Sequence, residues 1–244
     1  MHKIRYHKTL NPKIWSVDGS LNPNVRQSII TIATDFIDYM HSIGFEVSNK
    51  DILDIVIHGS NANYFYDKKS DIDIYILMDL DAIQEKYKEL NFFTIYMSLF
   101  HTWCRQHNLR ICGLGIDLCL KNVNKPLFAD VGWCWGSAYS VIHNKWINEL
   151  VCLDKKTFRK YQRIARKRAR EILRQARKVI AYNGRLDEFV RQQYKLHTVT
   201  AMENHLQPLV PETMAQKMVR HSGLFWRFMT TTAQRRAVEQ FGVD

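Results

Sequence analysis

The chain has little that would tie it to a membrane or to an oxidising compartment. None of its 244 residues falls in an apolar run near the ~20 residues of a membrane span. The opening segment Met1-His2-Lys3-Ile4-Arg5-Tyr6-His7 lacks the apolar stretch of a secretory signal. Cysteine is sparse: Cys104, Cys112, Cys119, Cys134 and Cys152 are odd in number, and no two are spaced as Cys-x-x-Cys. That pattern excludes a zinc ligand set and a disulfide framework, and predicts free, buried thiols in a reducing, cytoplasmic setting. No internal repeat or low-complexity tract is present. With 46% hydrophobic and 24% charged residues, the composition is that of a globular protein with a real core.

Acidic residues are missing from one place in particular. Between Lys155 and Lys178 stand twelve Lys/Arg and a single acid, Glu171. Of 35 Lys/Arg and 24 Asp/Glu in the chain, 23 of each lie elsewhere, so this one segment accounts for the net charge of +11.

What is present reads as a mixed fold. Asn22-Pro23 opens a helix whose apolar positions Val25, Ile29, Ile32, Phe36, Ile37 and Met40 recur at three- and four-residue steps as far as Gly44. The apolar run from Ile52 to His58 suits a buried central strand. A second strand is predicted over 71–78, a helix over 82–106 capped by Asp79 or Asp81, and a third strand over 110–120 bent at Gly113 and Gly115. Residues 121–137 read as irregular, with a short edge strand over 139–142, and Trp146 begins the passage into helices. From Leu153 the pattern changes to helices: one ending at Asn183-Gly184, a second over 186–205, then Pro208 and Pro211 before one or two shorter helices. The expectation is an α+β core over 1–150 followed by a basic, all-helical module over 151–244.

The chemistry concentrates in two short segments. Gly59-Ser60 follows the first strand, and after ten further residues comes Asp71-Ile72-Asp73. Side chains two apart on a strand share a face, so Asp71 and Asp73 project together while Ile72, Ile74, Ile76 and Met78 face the other way. Two carboxylates that close disfavour each other's ionisation unless a cation lies between them, and a divalent metal meets that need. A small turn able to hold phosphate oxygens, beside such a pair, is equipment for chemistry on a nucleoside triphosphate. Asp117, in Gly115-Ile116-Asp117-Leu118-Cys119-Leu120, is an isolated carboxylate in an apolar strand and the candidate third ligand. A Gly-Ser turn alone is ordinarily only a turn. An Asp-x-Asp pair alone is ordinarily a solvated strand end, and it also serves Mn²⁺-dependent glycosyltransferases. His58 reads as a packed or hydrogen-bonded histidine, Lys68 and Lys69 as a solvated loop, and Trp133 and Trp135 as core or lid rather than a base-stacking platform.

His58-Gly59-Ser60, Asp71-Ile72-Asp73-Ile74 and Ile116-Asp117-Leu118 together resemble the polymerase-β-type nucleotidyltransferase superfamily. The stretch Asn61-Ala62-Asn63-Tyr64 leading to Ser70-Asp71 is further similar to small stand-alone nucleotidyltransferases of phage genomes. The resemblance spans residues 22–150 and is absent over 151–244. It implies a polymerase-β-like core, a mixed sheet with flanking helices. It also implies that Gly59 and Ser60 hold the β- and γ-phosphates of an NTP and that Asp71 and Asp73 ligate two Mg²⁺ (or Mn²⁺) ions. Asp117 would then hold the ion beside the acceptor hydroxyl, with pyrophosphate as the leaving product.

The basic segment points to the acceptor. Phe158, Tyr161, Ala165, Ala169, Ile172, Ala176 and Val179 form an apolar stripe, and Arg159, Arg163, Arg166, Arg170, Arg174 and Arg177 line another face. Ordinary solvated helices interleave Glu with Lys, whereas cations this uncompensated repel one another unless an anionic partner is present. Seven Arg against five Lys favours planar recognition of phosphate. A nucleic acid, with an RNA or tRNA 3′ end foremost, is therefore the expected partner. A membrane surface is disfavoured because the Ala-rich stripe is needed for packing. The alternatives are transfer to a protein or small-molecule hydroxyl, synthesis of a cyclic or short oligonucleotide, and a non-catalytic nucleic-acid-binding protein with a vestigial site.

Overall fold

A computed structural model describes residues 4–68, 70–89, 92–124, 137–148, 150, 152–181, 189, 210–220 and 222. Among these residues the first helix, α1 (Pro23–Ser42), starts where Asn22 caps it: Asn22 Oδ1 accepts from Asn24 N at 3.0 Å, and proline occupies the first turn, where no amide donor is needed. Of its periodic positions, Val25, Ile29, Phe36, Ile37 and Met40 are buried and Ile32 is half-buried, while Ala33, outside the predicted stripe, is buried as well.

Among the described residues six strands form one mixed sheet in the order β3-β4-β2-β1-β5-β6. These are β1 (Asp54–His58), β2 (Ile72–Met78), β3 (Arg110–Ile111), β4 (Leu114–Asn122), β5 (Tyr139–Ser140) and β6 (Lys145–Trp146). The β2–β4 pair is parallel and the others are antiparallel. Parallel neighbours require a long crossover, and α2 (Leu80–Lys86) and α3 (Phe92–His107) supply it. One face of the sheet, carrying Ile55, Ile57, Ile72, Ile74, Ile76, Leu118 and Leu120, builds the core with α1 and with Phe92, Tyr96, Phe100 and Trp103 of α3.

Several expectations needed revision. The helix expected over 82–106 is two helices, because the Gln84 side chain bridges a break between them. Its Nε2 donates to Tyr87 O at 3.1 Å, and its Oε1 accepts from Phe92 N at 3.1 Å. The bend in the third strand is a hairpin: Ile111 pairs with Leu114 across Cys112 and Gly113, whose φ values of 51° and 76° suit a two-residue primed turn. The segment at 139 is no edge strand, since β5 pairs with β1 on one side and β6 on the other; β6, formed where helices were expected, is the edge. The described thiols, expected to be buried, are not. Cys112 and Cys152 are exposed, and Cys104 and Cys119 are half-buried.

The chain divides into two compact units: Tyr6–Asp130 with Gly136–Val151, and Met1–Arg5 with Val131–Trp135 and Cys152–Asp244. In the second, α4 (Lys155–Ala181) is capped by Asp154, whose Oδ1 accepts from Lys156 N and Thr157 N at 2.8 and 3.0 Å. Gln162, Ala165, Ala169, Ile172, Leu173 and Ala176 are buried along one stripe of α4, which packs with α5 (Pro211–Arg220). Met214, Ala215, Met218 and Val219 are the buried positions of α5. Gln162 Nε2 donates to Ile4 O at 2.9 Å and so ties the start of the chain to α4. The helix expected over 186–205, like Lys69, Cys134, Trp133 and Trp135, lies outside the described residues.

Candidate active site

Strand register brings the predicted carboxylates to one place. Asp73 is the parallel partner of Asp117 and the antiparallel partner of His58, so three side chains form a row across β4, β2 and β1. Alternation sets this row on the face opposite Ile72, Ile74 and Leu118, which are fully buried in the core. Asp71 precedes β2 by one residue and shares that face. Asp71 and Asp117 are exposed and Asp73 is half-buried. The premise that Asp117 is a buried carboxylate therefore does not hold, because β4 is covered on its apolar side only.

Glycines shape the floor. Gly59 has φ +73°, and a Cβ there would run into the Asp73 carboxylate group. A Cβ on Gly115 would stand 2.5 Å from Asp71 Oδ1. The Asp73 carboxylate therefore leans toward β1 and the Asp71 carboxylate toward β4, as two neighbouring like charges would. Among the described residues no three His, Cys, Asp or Glu side chains already form a metal-holding group. The carboxylates nevertheless occupy space that two missing side chains leave open, and their hard oxygens are the donors that Mg²⁺ and Mn²⁺ take.

The Gly59–Ala62 segment is a single 3₁₀ turn closing β1. Gly59 and Ser60 are half-buried in it, and Asn63 Nδ2 donates to Gly59 O at 2.7 Å. Lys68 is exposed. Behind the row the face becomes aromatic: the His58 and Tyr75 rings lie 3.7 Å apart between centroids, and Lys121 Nζ stands 5.3 Å from the Tyr75 centroid. Lys121, four residues beyond Asp117 on the same face, is a cation that the sequence reading did not single out. Burial and, secondarily, the charge of Asp117 push the Cys104 thiol up to about 11, leaving it a poor nucleophile at neutral pH.

His58 is buried, its Nδ1 has no hydrogen-bond partner, and burial, followed by the Lys121 charge, pulls its pKa down from 6.5 to about 3. It is a packed neutral ring, as the sequence suggested. An unfolded histidine takes up a proton near pH 6.5 and this one only near 3, so its contribution to stability is complete above 6.5 and declines as pH falls from there toward 3. The loss is at most ~1.4 kcal/mol per pH unit from this group. Urea unfolding of wild type and His58→Asn between pH 6.5 and 4 should show a shallower acid dependence in the variant. Parallel dependences would show that burial of this ring carries no such penalty.

On α4 the arginine stripe keeps to one side. Arg159, Arg163, Arg170, Arg174 and Arg177 are exposed and Arg166 is half-buried. At about 100° and ~1.5 Å per residue they occupy an arc of roughly 80° along ~27 Å. Arg174 is engaged by Glu171, with Nη2 to Oε1 at 2.8 Å and Nε to Oε2 at 3.1 Å. No described helix is long and apolar enough to cross a membrane.

Residues 45–101 match the family model of the nucleotidyltransferase domain. The match contains β1, the Gly59–Ala62 turn, Asp71, Asp73, β2 and α2, and ends within α3; Asp117 and α4 lie beyond it. No curated protein and no solved structure matches the chain.

Proposed function

We propose, from the nucleotidyltransferase domain that residues 45–101 match, that this protein transfers a nucleoside monophosphate from an NTP to a nucleic acid hydroxyl, with an RNA 3′ end as acceptor. The observation that carries the reading is the row of Asp73 and Asp117 on adjacent strands, with Asp71 beside it and the Gly59-Ser60 turn at its edge. Asp71 and Asp73 would hold divalent metal, and Asp117 would share the ion nearest the acceptor. When bound, Mg²⁺ supplies charge stabilisation for the phosphates and eases ionisation of the attacking hydroxyl.

The chain's own residues do the rest. Backbone N–H groups of Gly59 and Ser60, with the Ser60 hydroxyl, orient the β- and γ-phosphates. An Asp117 carboxylate oxygen receives the proton of the acceptor hydroxyl. The acceptor oxygen then bonds to the α-phosphorus while the bond from that phosphorus to the bridging oxygen breaks, and pyrophosphate departs. The exposed arginines of α4 hold the phosphate backbone of the acceptor, and the Lys-poor, Arg-rich character of that stripe suits it to phosphate.

The test is incubation with each α-labelled NTP and Mg²⁺ in turn, against total RNA, protein and no acceptor, beside an Asp71→Ala/Asp73→Ala control. Label on RNA that the control lacks is the expected result. Label on protein or a small molecule would move the acceptor elsewhere. No transfer to anything, or transfer undiminished in the control, would overturn the reading.

A further inference from the structure

We infer that Asn61 and Gly115 are positioning residues that set Asp71, the least supported of the three carboxylates, against the phosphate-holding turn; the inference rests on the nucleotidyltransferase reading above. Asp73 sits between registered partners on both sides, His58 and Asp117. Asp71 does not. The β1–β2 register ends at His58 with Asp73, and the β2–β4 register ends at Ile72 with Ile116, so the main chain of Asp71 lies beyond both ladders.

The Asn61 side chain takes over where the ladders stop. Its Nδ2 donates to Asp71 O at 2.8 Å and to Ser70 O at 3.1 Å. Asn61 is itself fully buried, and it belongs to the same short turn as Gly59 and Ser60. Its orientation follows from a chain of donors: Lys13 N donates to Asn11 Oδ1, and Asn11 Nδ2 donates to Asn61 Oδ1 at 2.8 Å. Exchanging Oδ1 and Nδ2 of Asn61 would set donor against donor at Asn11 and oxygen against two carbonyls at the other end. Trp15 Nε1 holds the Asn61 carbonyl at 2.7 Å. One buried amide thus links the turn to the residue that must share a metal ion with Asp73.

Gly115 acts on the side chain of the same residue. The Asp71 carboxylate lies over the Gly115 α-carbon, in space that any Cβ would enter. Gly115 precedes Asp117 by two residues and so shares its face of β4. Its bareness is what lets the first carboxylate lean toward the third. Asn61 fixes where Asp71 begins, and Gly115 fixes how far its oxygens can reach.

The decisive measurement is binding of Mn²⁺ alone to the full chain, read from the resonance signal of the free ion, alongside the thermal midpoint of each variant. Asn61→Ala and Gly115→Ala should each weaken Mn²⁺ binding by about 10-fold or more, the scale of lost outer-shell support. Tyr96→Phe, which deletes a buried hydrogen bond to Leu120 O, three residues along β4 from Asp117, should lower the midpoint and leave Mn²⁺ affinity unchanged. Mn²⁺ affinity that follows the midpoint in all three variants would mean that the two residues are only structural. Wild-type affinity in both Asn61→Ala and Gly115→Ala, with Asp73→Asn impaired, would overturn the positioning roles and leave the nucleotidyltransferase reading standing. Failure of the wild-type chain to take up Mn²⁺ would remove that reading and this one together. Should Asn61→Ala not fold, Gly115→Ala decides alone, since it deletes no side-chain hydrogen bond.

Discussion

Asp73→Asn should abolish nucleotidyl transfer and leave the fold in place. Asparagine has the shape of aspartate, fits the space above Gly59, and sits on a strand whose opposite face is fully buried in the core. What it loses is the charge at the centre of the row, between His58 and Asp117. The proposed mechanism makes Asp73 a metal ligand at the point where charge develops, so kcat/KM should fall by roughly 10³-fold or more, about 4 kcal/mol of barrier. Initial rates with labelled NTP and Mg²⁺ measure this, and the thermal midpoint reports folding. Activity within tenfold of wild type in a folded Asp73→Asn protein would exclude the proposed chemistry. Asp117→Asn should show a loss of similar size, because the proposed mechanism gives this carboxylate the proton of the acceptor hydroxyl.

The second large effect concerns the acceptor. Arg159, Arg163, Arg170 and Arg177 are all exposed on α4, on one side of it, and none is among the buried residues of that helix. For a single strand each neutralised phosphate adds about 0.7 to the slope of log K against log[salt]. Removing four such contacts should flatten that slope by ~3 and weaken RNA binding by roughly 10²–10³-fold at ~0.1 M salt. On the proposed division of roles, with these arginines on the acceptor's backbone and the carboxylates at its end, the rate with saturating acceptor should change little. An unaltered salt slope would show that RNA does not lie on this stripe, and would favour a protein or small-molecule acceptor.

Much of the candidate site was legible because the signals are local. Gly59-Ser60 and Asp71-Ile72-Asp73 are short strings whose meaning depends on strand alternation, a period of two that survives wherever the strand is placed. The stripes of α1 and α4 were legible for the same reason, since helical periodicity is a property of the chain itself. Asn61, Gly115 and Lys121 were missed. Asn61 entered only within a resemblance, without a role, and Gly115 as a bend, because what matters about each is a neighbour far along the chain: Asn11 and Asp71 respectively. The break between α2 and α3 was hidden too, since a side chain that satisfies both helix ends leaves no proline or glycine behind.

The amino-acid order alone determined that one segment carries the net charge, that two carboxylates share a strand face, and that a tight turn precedes them. Periodicity and charge are written along the chain. Whether Asp117 stands beside Asp73, and which residues hold Asp71 where the ladders end, depends on register between strands whose partners are 44 residues apart. Register follows from how the buried faces of β2 and β4 interlock, Ile72 with Ile116 and Ile74 with Leu118. Only the packed sheet decided it.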